Sequence, residues 1–287
     1  MPRKKTRVAI IYDFDKTLAT TDMQNYSFIK SVGLTVPQFW EATGKFCSEN
    51  NCDKILGYMY MMIKSAKNAG VPLTRKFLND CAKEVVLFPG VETWFDRINE
   101  YAKEKGIVVE HYICSSGNKE IIEGTSIAKC FKKIFGCQFV YDPTTKEAIW
   151  PKNAINYTQK TQYIFRISKH AFDETDNRKV NDKMSDRIIP YQNMIYIGDG
   201  LTDVPCMTFL KKQGGISIAI YPKGKKDKVV DLLLDDRVNY ICNADYQEGS
   251  ELDTLVKLIL QDINISYKLK LKQKQQKTRE SKRVKKD

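Results

Sequence analysis

Apolar positions in this chain follow two rhythms, one of strands and one of helices. The run VAIIY, residues 8–12, is continuous and β-branched, the pattern of a short strand buried on both faces, and it runs straight into Asp13 and Asp15. Residues 20–88 then read as helical, with no strand pattern. Leu56, Met59, Ile63 and Ala66 recur at helical spacing before Gly70, which suits a C-terminal cap. Thr74 suits the start of a second segment with the stripe Phe77, Leu78, Cys81 and Val85. The methionines and aromatics of this region are expected to be core. Val91, Trp94, Phe95, Ile98, Tyr101 and Ala102 predict a strongly amphipathic helix stopped by Gly106.

A strand follows at 107–114 and ends at SSGNKE, residues 115–120. The pattern next predicts a helix around 126–135, two short strands around a turn in 137–150, and a helix beginning in 156–167. Residues 168–192 are polar and charge-rich, an expected surface insertion. NMIYIGDGLTDVPCM, 193–207, reads as strand, loop, helix; 217–221 and 238–242 read as strands, and 250–263 as a capped amphipathic helix. Strands alternating with helices from residue 86 onward predict an α/β fold: a Rossmann-like, doubly wound parallel sheet with helices on both faces. In such sheets ligands bind beyond the carboxyl ends of the strands. Asp13, Asp15, Ser115, Asp199 and Asp203 all fall just after a predicted strand.

Charge sharpens this division. The net charge of +12 lies wholly at the two ends. Arg3, Lys4, Lys5 and Arg7 supply four positive charges, and residues 268–287 carry ten Lys/Arg against Glu280 and Asp287. The body between is formally neutral, so only the tail is expected to meet a polyanion such as nucleic acid, weakly and in a salt-sensitive way. The bland expectation is a solvated, disordered extension; KRVKK can equally be read as a nuclear-import patch. No apolar run reaches the roughly 18 residues of a membrane span. The basic start and VAIIY faintly resemble a signal peptide, but five apolar residues fall short of the roughly 7–15 needed. A soluble, cytoplasmic protein is expected. The eight cysteines form no CxxC and have two histidines for company, so buried free thiols are expected.

Several carboxylates converging on one point require a cation, and with oxygen donors and almost no histidine Mg²⁺ is the natural one. A carboxylate near such an ion can attack phosphorus, a lysine can balance the charge, and a neighbouring acid can move the proton. A small hydroxyl residue followed by glycine after a strand can bind phosphate oxygens.

Four segments, DFDKT (13–17), ICSSG (113–117), the lysine in YTQKTQ (157–162) and GDGLTD (198–203), together and in this order resemble the haloacid dehalogenase superfamily. The resemblance implies a core of residues 1–19 plus 88–265, with 20–87 as a small helical cap domain over the site, as in phosphoserine-phosphatase-like members; 168–192 and 266–287 are additions to that pattern. It implies Asp13 as nucleophile and metal ligand, and Asp15 as general acid/base whose backbone carbonyl also binds the metal. Thr17 would support the loop. Ser115 would bind the phosphoryl group, Ser116 being the alternative hydroxyl, with amides of Ser116 and Gly117 assisting. Lys160 would balance charge, Lys152 being the weaker candidate. Asp199 would ligate Mg²⁺, and Asp203 would ligate it too or position water or Lys160. An acid at position 15 separates this chain from dehalogenases and P-type pumps and points to a phosphatase of a small phosphorylated metabolite, with a phosphomutase as the alternative. Asp22 stands roughly where phosphoserine phosphatases carry a substrate-contacting glutamate. Yet residues 20–88 hold a single arginine, Arg75, to grip a substrate carboxylate, which makes phosphoserine a poor fit.

Overall fold

In a computed structural model, residues 5–183 and 187–284 are described. Arg3 and Lys4 of the basic start, residues 184–186 of the expected insertion and residues 285–287 of the tail lie outside them. The strands are β1 (Thr6–Tyr12), β2 (Ile107–Asn118), β3 (Lys133–Tyr141), β4 (Ala148–Asn153), β5 (Met194–Gly198), β6 (Ile216–Tyr221) and β7 (Tyr240–Asn243). They form one seven-stranded sheet in the order β4-β3-β2-β1-β5-β6-β7, parallel except for the edge strand β4.

The helices, in chain order, are α1 (Phe28–Ser31), α2 (Val36–Asn50), α3 (Lys54–Asn68), α4 (Arg75–Cys81), α5 (Val91–Glu104) and α6 (Lys119–Glu123), followed by α7 (Gln159–Lys169), α8 (Asn177–Asn181), α9 (Val204–Lys212), α10 (Asp227–Leu234) and α11 (Glu251–Val284).

Register positions the site. β1 pairs with β2 from Thr6↔Ile107 to Tyr12↔Ile113 and with β5 from Ala9↔Met194 to Tyr12↔Ile197. The residues just beyond Tyr12, Ile113 and Ile197 therefore stand at one level along the carboxyl edge. Beneath them is a buried aromatic group: Trp94 Nε1 donates to the Tyr12 hydroxyl at 2.8 Å, and Trp94 meets Tyr246 edge-to-face at 5.1 Å. The Tyr246 hydroxyl donates to the Thr17 carbonyl at 2.9 Å, fixing the loop after β1 from below. Arg97 on α5 pairs with the buried Asp253 of α11 at 3.1 Å.

Between β1 and α5 the chain is helical, as the pattern predicts, and its entry and exit lie side by side. The Phe88 amide donates to the Leu18 carbonyl and the Thr20 amide to the Val86 carbonyl, each at 2.9 Å. Thr35, Asp53 and Thr74 cap α2, α3 and α4.

Several expectations fail for identifiable reasons. Leu56 is exposed; α3 buries Tyr58, Met59, Met62 and Ala66 instead, so the apolar stripe is rotated from the expected one. The helix expected around 126–135 is a single 3₁₀ turn, Ala128–Cys130, followed by β3. Ile127, Phe131 and Ile134 have helical spacing, but they are buried from different elements, Ile127 and Phe131 flanking the 3₁₀ turn and Ile134 with Phe135 opening β3. The tail expected to be disordered continues α11 as helix to Val284, exposed from Lys272 to Arg283. Lys, Gln and Arg are good helix formers, and the packed first half of α11 supplies the nucleus that an isolated segment would lack. Of the expected insertion, 168 and 169 belong to the end of α7, and the described residues after them form a loop that includes α8 and buries Ala171 and Ile189. All eight cysteines are free, six of them buried.

Gly90 shows how closely α5 approaches the chain before α11. It has φ +81°, and a Cβ there would sit 2.4 Å from the Gln247 amide nitrogen and from the Tyr246 carbonyl carbon. Gly106 has a similar φ of +73° but open space around it. In chemical denaturation Gly90→Ala is expected to cost about 3 kcal/mol, and Gly106→Ala about 1 kcal/mol; equal costs would refute the close-approach argument.

Candidate active site

The chain reverses immediately after β1. Amides of Thr17, Leu18 and Ala19 all donate to the Phe14 carbonyl, at 3.2, 2.9 and 3.0 Å, and Lys16 takes a left-handed φ of +56°. Phe14 is buried in the core, while Asp13 and Asp15 line a cavity of about 380 Å³. Asp13 N–H donates to the Ile197 carbonyl at 2.9 Å, which locks the loop to β5.

Four distant segments meet here. Lys160, fully buried on α7, lies 3.2 Å from Asp13 Oδ1 and 2.7 Å from Asp203 Oδ1. The Tyr196 hydroxyl donates to the same Asp203 oxygen at 2.7 Å, and Thr202 Oγ1 accepts from Lys160 at 3.3 Å. Asp13, Asp199 and Asp203 present carboxylate oxygens within 4.8 Å of one another. Asp15 accepts from the Met23 amide at 2.8 Å, and Asp22 pairs with Lys16 at 2.7 Å.

This crowding has electrostatic consequences. Burial first, and then repulsion from Asp203, pushes the Asp13 carboxyl up to about 6 despite Lys160. Burial, with repulsion from Asp203 and Asp13, pushes Asp199 up to about 8. Burial and the charges of Asp22 and Asp13 raise Asp15 well above the carboxylate range. Lys160 is raised as well: burial alone would lower it, but Asp13 and Asp203 outweigh that. Asp203 Oδ2 is buried without a hydrogen-bond donor, and Asp13 Oδ1 is buried with only its ion pair to Lys160. Excess negative charge, unsatisfied oxygens and an all-oxygen donor set fit a hard divalent cation.

The phosphate-binding candidates separate by position. Strand β2 runs on through SSG, but its pairing with β3 breaks between Cys114 and Asn118, leaving 115–117 as a bulge. Ser115 is buried; its hydroxyl accepts from the Gly117 amide at 3.0 Å and helps hold Asp13 in its charged form. Ser116 also lines the cavity, its own hydroxyl is without a partner, and its carbonyl accepts from the Tyr58 hydroxyl at 2.7 Å. Gly117 permits the approach of Asp15: a Cβ there would lie 2.7 Å from Asp15 Oδ2 and 2.1 Å from Met23 Cε.

Two candidates stand apart. Thr17 is buried beneath the loop and is not on the cavity wall, so a direct phosphate contact does not follow for it. Lys152 is exposed on the edge strand β4, away from the cluster. Sequence reasoning missed Tyr196 and Thr202 around Lys160, and Trp40, Lys54, Tyr58 and Tyr157 on the cavity wall. As expected of the aromatics of this region, Tyr58 is in the core and Trp40 packs against it; that both also line the cavity is not legible from helical spacing, which does not distinguish a core stripe from a pocket wall.

The family model of haloacid dehalogenase-like hydrolases matches residues 10–208. A protein of Borreliella burgdorferi named "Uncharacterized protein" is 27% identical over 280 residues, 88% of this chain and 96% of its own. Among solved structures, a HAD family hydrolase from Salmonella enterica serovar Typhi superposes with a TM-score of 0.57 at 17% identity, over 90% of this chain and 73% of that one. A substrate-bound phosphoserine phosphatase gives 0.55 at 15% identity, over 89% and 99%. At these identities the two structures speak for the fold alone.

Lys160→Met would leave buried acids without their ammonium partner. It is expected to lower stability by about 3–5 kcal/mol in chelator, read by chemical denaturation; a change below about 1 kcal/mol would contradict this balance of charge.

Proposed function

The chain belongs to the haloacid dehalogenase-like hydrolases, and from that premise we propose that it is a Mg²⁺-dependent phosphatase acting on a small phosphomonoester through an aspartyl-phosphate. The observation carrying this reading is the buried Lys160 ammonium between Asp13 and Asp203, with Asp199 alongside, at the carboxyl edge of the sheet.

Asp13 carboxylate attacks phosphorus, and the bond from phosphorus to the ester oxygen breaks while Asp15 gives that oxygen its proton. Asp15 then takes a proton from water, whose oxygen attacks the acyl-phosphate. The bond from phosphorus to Asp13 breaks, releasing inorganic phosphate and restoring both carboxyls. The Ser115 hydroxyl and the Ser116 amide hold the phosphoryl oxygens, the expected Gly117 amide being engaged with Ser115 Oγ instead, and Lys160 offsets their charge. Asp13, Asp199 and the Asp15 carbonyl would hold Mg²⁺, with Asp203 acting through Lys160. The ion, when bound, supplies positive charge between nucleophile and phosphoryl group.

Residues 20–87, carrying α1 to α4, serve in this reading as the cap that selects the leaving group. Phosphoserine remains a poor fit. Arg75 stands 3.9 Å from Glu120 and 3.8 Å from Glu123 and stacks over Tyr141, and it does not line the cavity. A phosphomutase of the same family is the alternative; it would return phosphate to product, whereas a phosphatase releases it stoichiometrically. The exposed, strongly basic end of α11 supports an accessory contact with nucleic acid, consistent with the many lysines that from Lys272 onward face solvent.

With a generic aryl phosphate, phosphate release is expected to require Mg²⁺, to stop in chelator, and to fall at least about 10³-fold in Asp13→Asn; turnover that survives in that variant would overturn the mechanism. Deleting residues 268–287 is expected to leave turnover unchanged while abolishing salt-sensitive nucleic-acid binding, measured by fluorescence anisotropy; binding that persists without the tail would refute the accessory role.

A further inference from the structure

Beyond the acids and Ser115, the cavity changes character. Its far wall is built from Trp40 on α2, Ile55 and Tyr58 on α3, Tyr157 before α7 and Leu201 after β5. Three of these five are aromatic, and their polar atoms are largely committed elsewhere. Trp40 Nε1 donates to Asn25 Oδ1 at 2.8 Å, and the ring meets Phe39 and Tyr58 edge-to-face at 5.1 and 6.2 Å. The Tyr58 hydroxyl is bound to the Ser116 carbonyl. What Trp40 offers a ligand is therefore ring surface, with the narrow exposed edge of Tyr58, 4% exposed, beside it, both held rigid before anything binds. At the mouth, Tyr157 is 41% exposed and Leu201 76% exposed, an apolar rim at the edge of the cavity.

The cations on this wall are equally telling. Lys16 is held by Asp22, and Arg75 is engaged by Glu120 and Glu123 away from the cavity. Lys54, exposed at the first turn of α3, is the other ammonium among the lining residues. It is a flexible point charge without the planar fork that grips an amino-acid carboxylate. A leaving group made of a carboxylate and an amine would find Asp22 already paired with Lys16 and Gln24 already donating to Asn118, and would lose hydration against aromatic carbon with little replacement.

Resting on the phosphatase reading, we propose that the substrate is a phosphomonoester whose alcohol carries an aromatic or heteroaromatic ring, stacked among Trp40, Tyr58 and Tyr157 while its phosphoryl group meets Asp13. A phosphoryl group alone would fill little of the 380 Å³; a ring fills the remainder and covers the apolar rim.

Benzyl phosphate, phosphoserine and glycerol 3-phosphate all leave as primary alkoxides, so their relative kcat/KM values with Mg²⁺ report recognition more than leaving-group chemistry. Benzyl phosphate is expected to exceed the other two by at least about 10-fold. Trp40→Ala and Tyr157→Ala are each expected to bring that ratio towards one, and Trp40→Phe to retain it. Two variants on different elements guard against one failing to fold. A flat panel, a preference for phosphoserine, or a ratio that survives in both alanine variants would overturn the ring preference and leave the phosphatase reading standing. Release of phosphate from none of the three would bring down that reading and this inference with it.

Discussion

The site depends on one electrostatic compromise: a fully buried ammonium, Lys160, held between Asp13 and Asp203 while Asp199 stands close by. Buried carboxylates this close repel one another strongly, and one lysine cannot neutralise them all. Burial first, and then this repulsion, raises Asp13 and Asp199 above the ordinary carboxylate range. A divalent cation would resolve that repulsion, and in the proposed function the same charge would draw a phosphoryl dianion towards Asp13.

The fold supplies the geometry at little local cost. Parallel register across β2, β1 and β5 brings three strand ends to one level, so side chains far apart in sequence meet without strained connections. The Tyr12, Trp94 and Tyr246 group holds the loop from below, and Tyr196 fixes Asp203 against Lys160. The helical stretch between β1 and α5 enters and leaves through adjacent segments at Leu18–Thr20 and Val86–Phe88, joined by paired backbone hydrogen bonds. The two halves of the cavity thus come from different elements: the acids and Ser115 from the sheet edge, Trp40, Ile55 and Tyr58 from α2 and α3.

Much of this was legible in the sequence, because strands buried on both faces announce themselves as short β-branched runs and the acids follow them directly. The order DFDKT, SSG, Lys160, GDGLTD was enough to gather the cluster before any coordinates. Other features were not legible for physical reasons. Ile127, Phe131 and Ile134 keep helical spacing while being buried from a 3₁₀ turn's two ends and the start of β3, so spacing alone does not separate that turn and strand from one helix. Composition argued for a disordered tail, but helix propensity acting from a packed start carried α11 onward. Trp40 and Tyr58 were grouped with core residues because spacing records which face is apolar, not whether a cavity lies beneath it. Lys152 and Lys160 could be ranked by their predicted elements, but only three-dimensional contact separates an exposed edge-strand lysine from a buried one.

The central claim is that Asp13 itself accepts phosphorus. The most direct measurement is to quench the enzyme in acid during turnover of a phosphomonoester, reduce it with borohydride and map the peptides by mass spectrometry. An acyl-phosphate at Asp13 would be reduced to homoserine at that position, and this is the result expected. Steady turnover with Asp13 unmodified, or with the modification at another carboxylate, would contradict the account.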